Sequence, residues 1–170
     1  MAKSGGFFSK LSSSFRKPAK EGVSDSGKFA PDKTMPLDEK FVSQFTEGGG
    51  NFIYCFDRND ATTALKQYCA EQDWYGMFIS SPQIVDWEND VQLQTTFQND
   101  GQFSVVLSTC EALIAFNGGI MIHGHHTGGR KLGDLPKNHI VIAYTSQIVA
   151  NLHDGMTAIN QKYRDQRPGN

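Results

Sequence analysis

The feature that most limits how this chain can fold is an alternation that begins near residue 37. Short, wholly apolar runs alternate with longer stretches carrying apolar residues on one helical face. Leu37, Phe41 and Phe45 recur at four-residue spacing and are stopped by Gly48, Gly49 and Gly50, which predicts a short amphipathic helix. A strand is expected over residues 51–56, followed by a helix with Ala61, Leu65, Tyr68 and Cys69 on one face, capped by Asp57 or Asn59. Residues 75–79 form the next apolar run, and Ser81-Pro82 opens a short helix containing Ile84, Val85 and Trp87. A short strand at 93–97, an Asn99-Asp100-Gly101 turn, and strands at 103–107, 120–122 and 139–144 follow. A last helix is expected from Thr145 or Ser146, with Ile148, Val149, Leu152, Met156 and Ile159 on its apolar face and Pro168 and Gly169 past its end.

Runs that are apolar at every position suit strands buried on both faces, because strands with one wet face alternate apolar and polar residues. The fold class expected is therefore α/β: a single open, mostly parallel Rossmann-like sheet with helices on both faces. The closely spaced later strands predict an antiparallel or mixed edge there.

The first 36 residues are different. They are rich in Ser, Gly, Lys and Pro and carry seven Lys and Arg against three Asp and Glu, so a net charge of −2 leaves the remainder at −6. Residues 1–36 are expected to be a flexible basic leader, 37–165 one α/β domain and 166–170 a tail. Phe7, Phe8, Leu11 and Phe15 beside Lys10, Arg16 and Lys17 sketch a surface-seeking helix, but Ser12, Ser13 and Ser14 interrupt it and favour the flexible tail. An acidic body argues against nucleic acid as a partner, since phosphate binding relies on clustered cations. Cys55, Cys69 and Cys110 are odd in number and lack metal or redox spacing, which fits reduced thiols. No run approaches the ~20 apolar residues of a membrane span, and a cytoplasmic location is expected.

Between residues 109 and 149 the candidate chemistry is dense. Thr109-Cys110-Glu111-Ala112-Leu113-Ile114-Ala115-Phe116-Asn117-Gly118-Gly119 is followed by Arg130-Lys131-Leu132, by Leu135-Pro136-Lys137-Asn138-His139-Ile140-Val141, and by Ser146-Gln147-Ile148-Val149. In that order these segments resemble the LUD domain family, which includes the C subunit of bacterial lactate-utilisation operons. The resemblance covers about residues 105–159. It implies a fold similar to the sugar-phosphate isomerase and CoA-transferase group. It also implies a role in, or descent from, oxidation of lactate to pyruvate beside partner subunits that carry iron–sulfur clusters. Asn117 stands where the family pattern has Thr, and His123-Gly124-His125-His126 where it has small polar residues.

Read on their own chemistry, these residues divide three ways. Glu111, just beyond a buried strand, can act as base, nucleophile or orienter of a ligand hydroxyl, or can simply organise the following turn. Asn117, Gly118 and Gly119, and then Gly128, Gly129, Arg130 and Lys131, can present bare amides and cations to a small anion, or can be plain turns. His123, His125 and His126 are imidazoles that bind zinc, nickel or copper well, although alternation in a strand puts only the first two on one face and no acidic cluster lies nearby in sequence. His139 reads as a structural histidine, and Cys110 as a thiol that its neighbour Glu111 keeps protonated. No dinucleotide or phosphate-loop glycine pattern and no cluster-binding cysteine spacing is present, so no cofactor is encoded by a recognisable motif. Two functions follow as expectations. One is an accessory protein binding a small anionic metabolite or lactate-oxidation subunits; the other is a stand-alone enzyme acting on a small hydroxy acid or phosphorylated metabolite with Glu111 as acid/base.

Overall fold

A computed structural model describes residues 35–91, 93–98 and 101–164. The leader apart from Met35 and Pro36, the tail, and Asn99 and Asp100 of the expected turn lie outside the described residues.

Helix α1 (Leu37–Glu47) buries Phe41 and ends at Gly48. The Gly50 amide returns to the Phe45 carbonyl, and Gly49 takes the left-handed conformation (φ 90°) that suits glycine at a helix stop. Helix α2 (Arg58–Glu71) starts where expected: the Asp57 side chain accepts from the Asp60 amide at 2.8 Å. Between them, residues 51–56 form no strand. Tyr54 and Phe56 face out and meet edge-on at 5.6 Å, while Phe52 turns inward, onto Phe41. The run is apolar, but among the described residues no strand pairs with it.

Strands β1 (Gly76–Ile79), β2 (Gln94–Thr96), β3 (Val105–Thr109) and β6 (Asn138–Ile142) make a four-stranded sheet in the order β2-β1-β3-β6. All three of its pairings are parallel. β1 is buried at every position and β3 at all but its last, as strands covered on both faces should be. On one face Met77, Ile79, Val105 and Leu107 pack with Leu65 and Cys69 of α2 and with Ile84, Trp87 and Val91 around the short helix α3 (Trp87–Val91). The fold is α/β with a Rossmann-like parallel sheet.

The mixed edge forms as a second sheet. β4 (Ala112–Ile114) pairs antiparallel with β5 (Gly119–Met121) and parallel with β7 (Ile148–Val149), in the order β5-β4-β7. β7 corrects the expected single terminal helix: Thr145–Gln147 is one 3-10 turn, Ile148 and Val149 pair with Leu113 and Ile114, and helix α4 (Leu152–Lys162) begins only after the Asn151 cap. Leu113 turns toward Phe41 of α1 in a second apolar cluster with Cys110 and Ala115. Ile114 and Met121 lie under Gly155 of α4.

Only Cys110 and Glu111 separate β3 from β4, so the chain leaves the parallel sheet and enters the mixed one within two residues. Glu111 therefore stands at the carboxyl end of the central parallel strand, the edge at which open α/β sheets place ligands.

Candidate active site

The Glu111 backbone is fixed by its amide, which donates to the Met121 carbonyl at 2.8 Å. Gln147 secures the same junction: its Nε2 donates to the Cys110 carbonyl at 2.6 Å, and its Oε1 accepts from the Tyr144 amide at 2.7 Å. The Glu111 side chain is only 6% exposed, which for an ionised acid requires partners. Lys162 Nζ lies 2.9 Å from Oε1 and 3.1 Å from Oε2. His123 Nε2 is 3.1 Å and the Tyr163 hydroxyl 3.2 Å from Oε2, and His126 Nε2 is 3.8 Å away.

These partners set the site's charges. Burial by itself raises the Glu111 pKa, but hydrogen bonds from Lys162, His123 and Tyr163 outweigh it and hold the carboxyl below its ordinary range. Lys162 is raised by its hydrogen bond to Glu111. His126 is pushed down to about 4, first by burial and then by the neighbouring His123. At neutral pH the site thus holds an ionised Glu111, an ammonium and a neutral His126. Cys110 is pushed up to about 12 by burial and then by Glu111, so it is an inert thiol as its sequence position implies.

The imidazoles reach the acid through a turn that leaves β5. The His126 amide donates to the His123 carbonyl at 2.9 Å, and the His123 amide donates to His126 Nδ1 at 3.3 Å. The two rings lie 4.2 Å apart. Strand alternation would separate them; the turn brings them together. His125 points elsewhere, stacked on Tyr163 at 6.2 Å, with its backbone amide on His123 Nδ1. The metal-binding set suggested by the geometry is consequently Glu111, His123 and His126, whose ligand atoms lie within 4.8 Å of one another. Glu111 is the acidic member that local sequence does not reveal, because the hairpin, not sequence adjacency, brings it close.

Among the described residues, the other sequence candidates are not partners of this acid. Asn117, Gly118 and Gly119 occupy the tip of the β4–β5 hairpin, at the end opposite Glu111. Asn117 Oδ1 accepts from the Gly119 amide at 3.0 Å and Gly118 donates to the Ile114 carbonyl at 2.9 Å, so both amides serve the turn. Gly128 and Gly129 have φ of 60° and 78°. Gly129 donates to the Gly124 carbonyl and Arg130 to the Thr127 carbonyl, while the Arg130 guanidinium lies 4.9 Å over the Phe78 ring. Lys131 is exposed at the start of the 3-10 turn Leu132–Asp134. His139 is confirmed as a packed histidine, its Nε2 2.6 Å from Ser108 Oγ. Lys162 and Tyr163 are the residues that sequence reading missed.

A parallel α/β sheet joined to a small mixed sheet, with a buried glutamate at the junction facing imidazoles and a lysine, defines an α/β protein with a compact polar site. Comparison narrows this to a family. The LUD domain model matches residues 84–169, half of the chain, and the chain belongs to that family. A crystal structure of a DUF162 family protein from Deinococcus radiodurans is similar in fold, with TM-score 0.60 and 18% identity over 78% of this chain and 83% of that one. No curated protein sequence matches. Among the described residues no helix is long and apolar enough to cross a membrane.

Proposed function

We propose that this LUD domain binds a small hydroxy or oxo acid of the lactate type beside Glu111, in an accessory role with lactate-oxidation subunits. One observation carries the reading: Glu111 is 6% exposed while Lys162, bridging both its oxygens, is 58% exposed. Such a pair offers two faces to a ligand. The carboxylate accepts the ligand's hydroxyl, and the ammonium, which has three donors, takes the ligand's carboxylate on its solvent side. The sheet edge supports the same placement, as does the family to which the chain belongs.

Calorimetric titration of chelator-treated protein with lactate, pyruvate and acetate tests it. Lactate is expected to bind more tightly than acetate, and both Lys162→Met and Glu111→Gln weaken lactate while the fold persists. Equal binding of lactate and acetate, or lactate binding untouched by both substitutions, rejects this placement.

A second reading, an enzyme acting on a hydroxy acid or phosphorylated metabolite, is favoured by the His123 ring and Tyr163 hydroxyl sharing Glu111 Oε2. That arrangement lets an ionised Glu111 accept a ligand proton with a second titratable group in contact. Turnover abolished by Glu111→Gln with lactate binding only weakened selects it.

A further inference from the structure

The imidazole pair and the acid have a geometry that acid binding does not use. Glu111 Oε2 is 3.1 Å from His123 Nε2 and 3.8 Å from His126 Nε2. Ligand atoms around a tetrahedral zinc ion, each ~2 Å from the metal, stand roughly 3.3 Å apart. We propose that Glu111, His123 and His126 bind a divalent transition-metal ion of the zinc or cobalt kind, with one carboxylate oxygen and two imidazole nitrogens as ligands and the remaining position open.

Three features argue for it together. The donors are the types that select such ions: imidazole nitrogen suits zinc, copper and nickel, and two imidazoles with one carboxylate form a known open-sided set. They are also sheltered, with the His126 and Glu111 side chains 4% and 6% exposed and His123 27% exposed, so one side of the trio opens to solvent. A cation already sits on the carboxylate, in the form of the Lys162 ammonium contacting both oxygens. Lys162 is a displaceable occupant, since its side chain is 58% exposed and its flexible stem can swing the charge into water.

Metal binding has an identifiable cost. Nδ1 of each ring accepts a backbone amide at 3.3 Å, which places the ring proton on Nε2, toward Glu111. Ligation through Nε2 moves that proton to Nδ1 and gives up both contacts. They are at the long end of the hydrogen-bonding range, and the loop that makes them includes the exposed Gly124 and His125. A bound ion leaves its open position for water or for the hydroxyl and carboxylate of a chelating acid. The site shares Glu111 with the acid-binding reading and stands without it.

The test uses untagged full-length protein, stripped with chelator, dialysed, and titrated with Co2+ while visible absorption is followed. Uptake of one equivalent with the absorption of a low-symmetry site, and its displacement by one equivalent of Zn2+, is expected. Glu111→Gln and His126→Gln lose the band, with circular dichroism verifying the fold, whereas His125→Ala retains it. If His126→Gln does not fold, the more exposed position of His123 makes His123→Ala the replacement. Lys162→Met binds Co2+ roughly tenfold more tightly, the direction expected when a like charge a few ångströms away is removed. The same substitution weakens lactate in chelator-treated protein, so the two readings move in opposite directions and can fail separately. No stoichiometric Co2+ uptake, uptake that survives Glu111→Gln, or uptake lost in His125→Ala overturns the metal site.

Discussion

Lys162 and Glu111, 51 residues apart in sequence, form a two-point contact in which a single ammonium reaches both carboxylate oxygens, at 2.9 and 3.1 Å. The two sides of this contact differ in what they lose when it breaks. Lys162 can turn to water, whereas Glu111 cannot.

That asymmetry predicts unequal effects on stability. Glu111→Ala strips the acceptor from His123 and Tyr163 and is expected to destabilise by about 1–3 kcal/mol. Lys162→Met is expected to cost under about 1 kcal/mol, as for other exposed ion-pair partners. Urea denaturation of both variants measures the difference, and equal losses would contradict it.

Gly118 should be nearly intolerant of a side chain. Its φ is 68°, and a Cβ there would fall on the backbone of Gln44 and Phe45, at the turn by which the hairpin tip abuts α1. Gly118→Ala is expected to destabilise by more than about 2 kcal/mol, combining backbone strain with displacement of a helix. Gly124→Ala, with ordinary φ and nothing within 4 Å of the added carbon, is expected to stay within about 0.5 kcal/mol. Thermal melts of the two distinguish a clash from a generic glycine effect.

His139 gives the parallel sheet an acid sensitivity. Burial lowers its pKa below the ordinary histidine value of 6.5, so the unfolded chain takes up a proton first as pH falls. The contribution is complete above pH 6.5 and is lost progressively as pH drops from there toward the depressed folded value. In His139→Gln the dependence of melting temperature on pH between 7 and 5 should flatten. An unchanged slope would remove His139 as its source.

The two buried thiols, Cys69 and Cys110, should be silent in the native state. Burial pushes Cys69 up to about 11, and burial with Glu111 pushes Cys110 up to about 12; the residues are 0% and 3% exposed. Alkylation at pH 8 followed by mass mapping should leave both unmodified until denaturant is added. Rapid native modification of Cys110 would show that the β3–β4 junction opens.

Several elements were legible because their signals are local. The cap of α2 needs only Asp57 and Asp60, β1 announces itself as a run with no polar side chain, and β3 does so through Val105, Val106 and Leu107. Residues 51–56 carry a comparable signal and form no strand, since a strand needs a neighbour that sequence patterning does not supply. Ile148 and Val149 matched a helical face with Leu152 and Met156, yet pairing with β4 claims them first, and Asn151 restarts the chain as a helix. In the site, Glu111 and the histidines were visible as chemistry but not as one cluster. The hairpin register that joins them, and the 51-residue span that brings Lys162, have no counterpart in local spacing. Departures of His123 and His126 from strand alternation likewise come from the turn after β5.

Lys162 ends α4 and Tyr163 is its C-cap, so two of the four close partners of Glu111 hang on one helical turn. Helix ends are the first parts of a helix to fray. Unwinding a single turn thus withdraws both at once and bares the acid, making the end of α4 a latch whose opening can be followed by amide hydrogen exchange.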